Sequence, residues 1–385
     1  MAKSSSAPAS TQSPKRVLPS ILIGLGVFLL VVAILIPLYT VGRLEKTPLD
    51  LEITTVATGT GSVLDSRSLS AGAARVDENV PLVSQRFVTT EEPSDSDRIT
   101  VQAGSTLRRT DRQGDTGLLT AVVDRVTLDR VSSMPVDPVG SIQSQADQPA
   151  TEVPHTGLQY KFPFDAQKQT YPFFDTVARQ SFDMTFVEET QIEGVTVYHY
   201  TQTIPAQDLS KVVPSPTNKL ALPASTWGVE GGDQPITMTR FYENTRDIFV
   251  EPTTGVIVKG QEDVHQYYAR RAGTPEVDVI RAPISFDDNT VEYQLGRARD
   301  GMDRIALIGR TVPIVAGVVG LISLVLGLLL LLRGGRGQGR PATATGPAPD
   351  APTQAYDNRV DDGGRGHDWT TDRTEEIPRT NLRKD

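Results

Sequence analysis

Residues 312–332 read VPIVAGVVGLISLVLGLLLLL, 21 residues without a charge. At 1.5 Å rise per residue, a helix of that length reaches about 31 Å, the thickness of a bilayer's hydrocarbon core. A buried helix of a soluble domain is usually shorter and keeps some polar face. The run therefore predicts a membrane span. Arg310 precedes it, and Arg333, Arg336 and Arg340 follow, the flanks expected where a helix leaves lipid. Pro313 falls in the first turn, where its missing N–H costs little. Gly317, Gly320 and Gly327 are small positions that let another helix approach.

A second apolar run lies near the other end. Residues 21–38 carry no charge, and the uncharged stretch extends over 17–40. Two spans, 17–39 and 305–332, put everything between them on one side of the membrane. Residues 1–16 are Ser-, Ala- and Pro-rich with Lys3, Lys15 and Arg16 and no acid, which predicts a disordered tail. The exit from the first run, IPLYTVGRLEK, has no A-x-A site, so an uncleaved anchor is expected. The basic tail stays inside. The expected arrangement is a two-span plasma-membrane protein with cytoplasmic termini, an extracytoplasmic domain over 40–304 and a second disordered tail over 333–385.

The net charge of −9 sits in the middle segment, because residues 1–39 are basic and residues 333–385 are neutral. An acidic exterior argues against nucleic acid and against docking flat on anionic lipid. Cysteine is absent. Asn79, Asn218, Asn244 and Asn289 all miss the N-x-S/T pattern. Together these absences favour a bacterial cell envelope over an animal ectodomain.

The middle reads as antiparallel β. Residues 49–131 alternate β-branched and polar side chains, with Gly and Asp breaks. Residues 132–157, with Pro135, Pro138, Pro149 and Pro154, read as a long loop and a possible boundary. A hairpin is expected with strands over 184–190 and 195–204 about a Glu193-Gly194 turn. Further strands follow over 236–242, 246–250 and 256–261. Residues 205–235 read as an irregular excursion. From Asn289 the period changes. Asn289 is a candidate N-cap with Glu292 at N3, and Val291, Leu295, Ala298, Met302 and Ile305 mark one helical face over 289–304 leading into the second span. The fold class is thus an α+β membrane protein, a large β-rich antiparallel extracytoplasmic domain between two transmembrane helices.

No nucleophile elbow, P-loop, HExxH or dinucleotide-binding glycine pattern is present, so neither an enzyme nor a cofactor is expected. The four histidines, His155, His199, His265 and His367, are too scattered for a metal site. Asp165, Asp175 and Asp183 lie among aromatics, as in sugar clefts, but acids in such places more often end strands or cap turns. Glu188/Glu189 read as a strand edge and Asp287/Asp288 as a helix start. No EF-type spacing supports calcium. His367–Trp369 is either a docking motif or a stray aromatic in disorder.

Eight of the chain's 23 aromatics fall within residues 160–186. Phe162, Phe164, Phe173, Phe174, Phe182 and Phe186 form either the core of the β domain or an apolar groove for acyl chains.

The phrases KFPF (161–164), YPFFD (171–175), IEGVTVYHY (192–200), FYEN (241–244) and VEPTTGVIV (250–258) resemble an actinobacterial PorA-like membrane-protein family, whose span–ectodomain–span layout this chain shares. The resemblance implies a porin of a mycolic-acid outer membrane. A porin barrel crosses lipid on alternating strands, whereas here two apolar helices do the membrane work. The layout also resembles, in architecture alone, the class B scavenger receptors, which carry lipids through an ectodomain tunnel. The leading expectation is an envelope lipid- or lipoglycan-binding or -passing protein. The alternatives are a scaffold that docks an envelope protein partner, and a pore.

Overall fold

A computed structural model of the chain describes residues 17–39, 45–213 and 215–334. The tails at 1–16 and 335–385, the His367–Trp369 motif and the first span's exit at 40–44 lie outside the described residues.

The described region is one very large antiparallel sheet with three long helices. Its strands are β1 (Glu52–Leu64), β2 (Val76–Glu91), β3 (Arg98–Arg109), β4 (Leu118–Asp129), β5 (Pro135–Gln143), β6 (Thr151–Glu152), β7 (Tyr171–Asp175), β8 (Gln180–Ile192), β9 (Val195–Asp208), β10 (Lys219–Pro223), β11 (Pro235–Glu251), β12 (Val256–Ala269) and β13 (Val277–Phe286). They lie in the order β6-β5-β4-β3-β2-β1-β13-β12-β11-β9-β8-β7, with β10 added on β11. Strands next to each other in sequence are mostly neighbours in space. The exceptions are β1, which pairs with β13 through Ala57↔Phe286 and Val63↔Ile280, and β9, which pairs with β11.

The two outer edges of this sheet meet. After β6, Leu158 donates its N–H to Pro172 O at 2.8 Å and accepts from Phe174 N at 2.7 Å. Phe174 of β7 packs on Ile142 of β5, on Val153 and on Val122 of β4. The sheet thus closes into a barrel along residues 153–158. A barrel of this many strands is wider than the ~8-strand size that side chains alone can fill.

The strand faces differ sharply. Outward positions such as Thr54, Thr58, Gln85, Asp183, Thr185, Glu189, Thr196, Gln261, Asp263 and Arg281 are exposed and polar. Against lipid, arginine at such a position costs up to ~2–4 kcal/mol at the bilayer midplane and a carboxylate less, so this wall suits water better than lipid. Inward positions mix apolar and ionised side chains. Apolar clusters line the barrel from one end, with Leu51, Val88, Ile99, Val101 and Leu128, to the other, with Leu64, Trp227, Met238, Tyr268 and Val277.

The helices sit at the end where β1 starts and β13 finishes. α1 (Val17–Tyr39), α2 (Asp288–Ala306) and α3 (Val312–Gly334) are the long ones. A π-helical turn over Leu307–Thr311 joins α2 to α3 without a break. α2 lies across the barrel end, with Leu295 and Ala298 buried against Val195, Val197 and Val258. Both α1 and α3 are long and apolar enough to cross a bilayer. They pack against each other in antiparallel fashion. A Cβ on Gly26 would lie 2.7 Å from Gly320 O, and one on Gly327 would lie 3.0 Å from Pro19 O. The buried positions Pro19 and Gly26 on α1, and Gly320, Ser323 and Gly327 on α3, repeat at the three-, four- and seven-residue spacings of a helix-pair seam. The glycines expected as small positions are where the two backbones meet.

Several expectations are corrected. Residues 132–157 are not one loop; they supply β5 and β6, and Pro135 opens an outer strand, where a missing N–H is tolerated. The separate strands expected over 236–242 and 246–250 are one strand, β11, with Asn244 inside it. The 205–235 excursion holds β10 and three short helical turns, at Leu209–Val212, Pro216–Asn218 and Ala224–Trp227. The helix cap is Asp287, not Asn289; its carboxylate accepts Thr290 N–H at 2.8 Å. The Glu193-Gly194 turn has φ of +47° and +77°, the primed geometry that suits a two-residue hairpin.

Candidate functional site

Inside the barrel lies a cavity of about 710 Å³, within the ~300–1,000 Å³ usual for ligand pockets. It is walled by side chains from most strands. Ala57, Val264, Ile280 and Ile284 supply apolar wall, and Ser84, Ser105 and Thr120 supply small polar wall. Ser66, Ser70 and Thr120 are exposed, so the cavity reaches solvent at the end away from the helices.

One ionised network crosses the lining. Arg246 on β11 holds Asp175 at 2.9 Å and Glu262 on β12 at 2.9 Å. It also donates to Gln202 Oε1 at 2.7 Å. Tyr242 OH donates to Asp175 Oδ2 at 2.9 Å. Burial works against the Arg246 charge, but Glu262 and Asp175 outweigh it and hold the guanidinium's pKa above its ordinary value. Burial likewise pushes Glu262 up, and Arg246 more than reverses it, leaving the carboxyl below its ordinary range. Burial first, then the Asp175 charge, drives the Tyr242 phenol well up.

A second network sits at Asp124 on β4. It accepts from Gln159 Nε2 at 2.8 Å and from Tyr160 OH, and lies 2.8 Å from His155 Nε2. Burial and the Asp124 charge raise the Tyr160 phenol well above its usual range. The His155 ring stacks on Phe174 at 4.2 Å. Among the described residues, two polar groups on the cavity wall find no partner: Arg240 Nε and Gln159 Oε1. Arg240 Nη2 donates to Gln266 Oε1 at 2.6 Å, and burial lowers its pKa.

A smaller pocket of about 100 Å³ lies toward the helices, between the barrel end and α2. Thr55, Arg86, Gln159, Tyr160, Ile257 and Phe286 line both spaces, so the two adjoin.

Of the six candidate phenylalanines, Phe173 and Phe174 line the cavity. Phe162 is fully buried, packed on Tyr171, Phe173 and Tyr200. Phe164 lies under Lys161 Nζ at 3.7 Å. Phe182 packs near Ala178 and Ile204, and Phe186 against Tyr198 and Tyr200. The six do not form one groove. Asp175 aside, the rest of the polar lining, from Arg86, Asp124, Arg240, Arg246 and Glu262, escaped the sequence reading. Its only signal was charge alternating with apolar residues in strands, which reads equally well as an outward face. Asp175, weighed as a sugar-cleft acid, joins this lining, while Asp165 and Asp183 are exposed. Among the described residues no group of three or more His, Asp or Glu side chains is placed to hold a metal ion.

A family model described as Porin PorA matches residues 18–329. A protein of Corynebacterium amycolatum named Porin PorA is 32% identical over 378 residues, covering 81% of this chain and 98% of the relative. A second, from Corynebacterium resistens and of the same name, is 32% identical over 404 residues, covering 83% of this chain and 97% of the relative. The match runs from the first apolar helix through the whole barrel and into the last, and the chain belongs to the porin PorA family.

Proposed function

We propose that the chain is a non-enzymatic plasma-membrane protein whose extracytoplasmic barrel binds or passes an envelope lipid or lipoglycan. α1 and α3 cross the bilayer and leave both termini in the cytoplasm. The observation that carries this reading is the cavity of about 710 Å³ inside a water-facing barrel, adjoining a pocket beside the helix end. Apolar wall suits an acyl chain, and the few convergent polar groups suit a headgroup. The outward-facing apolar side chains of α1 and α3, such as Phe28, Leu38 and Leu332, are exposed and need lipid around them.

The test is native mass spectrometry with lipid extraction on protein purified in mild detergent. A defined lipid is expected to remain bound, and to be lost when Ser84→Trp fills the cavity while the melting temperature holds. Lipid-free protein from several mild detergents overturns the reading. A second reading, a pore, is favoured by the relatives' name, Porin PorA. Discrete conductance steps from the purified chain in planar bilayers, abolished by Ser84→Trp, are its mark. A scaffold role predicts instead a stoichiometric protein partner on affinity purification.

A further inference from the structure

The small pocket at the helix end is unusual in charge. Its walls are mainly apolar, with Leu51, Ile53, Val88, Ile99, Val101 and Phe286 among them. Three cations also line it: Arg86, Lys161 and Arg297. Among the described residues none of the three is in an ion pair, although Glu251 acts on Lys161 and Glu262 on Arg86 from farther off. Arg86 Nε donates to Ser105 Oγ at 3.2 Å, and its guanidinium lies 5.9 Å from the Tyr160 ring. Lys161 Nζ donates to Phe162 O at 2.9 Å. Arg297 donates to Gln294 Oε1 at 3.2 Å.

The acids nearby are already engaged. Asp129, the one carboxylate on the pocket wall, accepts the N–H groups of Val131 and Ser132 and the Ser132 hydroxyl through one oxygen. Glu251 accepts from Thr253 N and Thr254 N, both at 2.8 Å. Elsewhere the chain behaves differently: Arg109, Arg112 and Arg246 all sit on carboxylates. Three like charges around one apolar space, in an acidic domain, are costly unless an anion joins them. Burial, aided by Arg297, already depresses Lys161. A separate sign comes from Gln159. Its side chain is buried, its Oε1 has no donor, and it lines this pocket and the main cavity alike.

We propose that this pocket binds the anionic headgroup of an amphiphile, with Lys161, Arg86 and Arg297 as its cationic partners and its chain lying along the apolar wall toward the main cavity. Gln159 Oε1 then accepts from a hydroxyl of the headgroup. The inference rests on the reading that the barrel takes amphiphiles, and it adds the charge that the barrel selects and the end at which it does so.

The test uses the full chain in phosphatidylcholine nanodiscs, with radiolabelled palmitate as probe and empty nanodiscs subtracted. Palmitate is expected to be retained, and hexadecanol, the same chain without the charge, to compete about tenfold less well, a difference of about 1.4 kcal/mol. Inorganic phosphate is expected to compete poorly, because it lacks the chain. Lys161→Met with Arg297→Gln should cut palmitate retention at least about tenfold. The same variant without ligand should melt no lower than wild type, since an unpaired cation is removed. If hexadecanol competes as well as palmitate, the headgroup site is wrong while chain binding stands. If neither is retained, both readings fall. If phosphate displaces palmitate as well as unlabelled palmitate does, the occupant is a free anion and not an amphiphile. The competition series on unaltered protein decides the matter even where the double variant does not fold.

Discussion

Lys161 is the side chain with the most to report about pH. Burial brings its pKa down to about 7 from an ordinary 10.5, with Arg297 adding to the shift and Glu251 opposing it. Between those two values the unfolded chain binds a proton that the folded chain has released. Stability must therefore rise with pH from about 7 to about 10.5, by no more than about 1.4 kcal/mol per unit from this group. Urea melts at pH 7, 8 and 9 should show the rise, and Lys161→Met should flatten it. Arg246 makes the opposite case, a buried cation with two carboxylates. Arg246→Gln leaves Asp175 and Glu262 unpaired and should cost about 3–5 kcal/mol, read as a drop in urea midpoint. Neither side chain was legible as a site from sequence. Alternation says which residues of a strand share a face, and only the closed barrel says which face is inside.

At the level of elements, the local signals were the legible ones. Glu193-Gly194 specifies its hairpin through two positive φ angles, and the 3.6-residue repeat of Val291, Leu295, Ala298 and Met302 marks the face of α2 that packs on the barrel. The misreadings come from long-range pairing. Glu243-Asn244-Thr245 looks like a break, yet Asn244 turns inward and donates to Tyr242 OH at 3.1 Å and Glu262 at 3.0 Å. A partner 18 residues away, on the next strand, keeps that polar residue within β11. The N-cap prediction follows from the same geometry: Asp287→Ala should cost about 1 kcal/mol, measured by thermal melt. The α1–α3 seam is stricter. Gly320→Leu puts a branched side chain where Gly26 O lies 3.0 Å from a bare Cβ. It should separate the helices, seen as lost cross-linking between cysteines placed at Ala33 and Gly317.

For the whole molecule, the chain's lack of cysteine makes single introduced thiols clean reporters of topology. Thr203→Cys, exposed on the barrel wall, should react with an impermeant maleimide on intact cells. Thr345→Cys should react only after permeabilisation. Labelling of both from outside would overturn the proposed orientation. The barrel itself was only half legible: its strands can be read one by one, but closure depends on Leu158 meeting Phe173 and Phe174 across the full sheet. That closure has a mechanical consequence. Long ladders join β1 to β2 and β11 to β12 over nearly their whole length, whereas the two edges meet through two backbone bonds of Leu158, the bonds between Thr156 and Ser181, and the packing of Phe174 on Ile142, Val153 and His155. A cylinder stitched at one line opens there first. Amide exchange over residues 153–158 and 171–175 should run ahead of exchange in β9 and β11. The wall would then part sideways like a slit sleeve, admitting a long molecule along its length instead of threading it from one end.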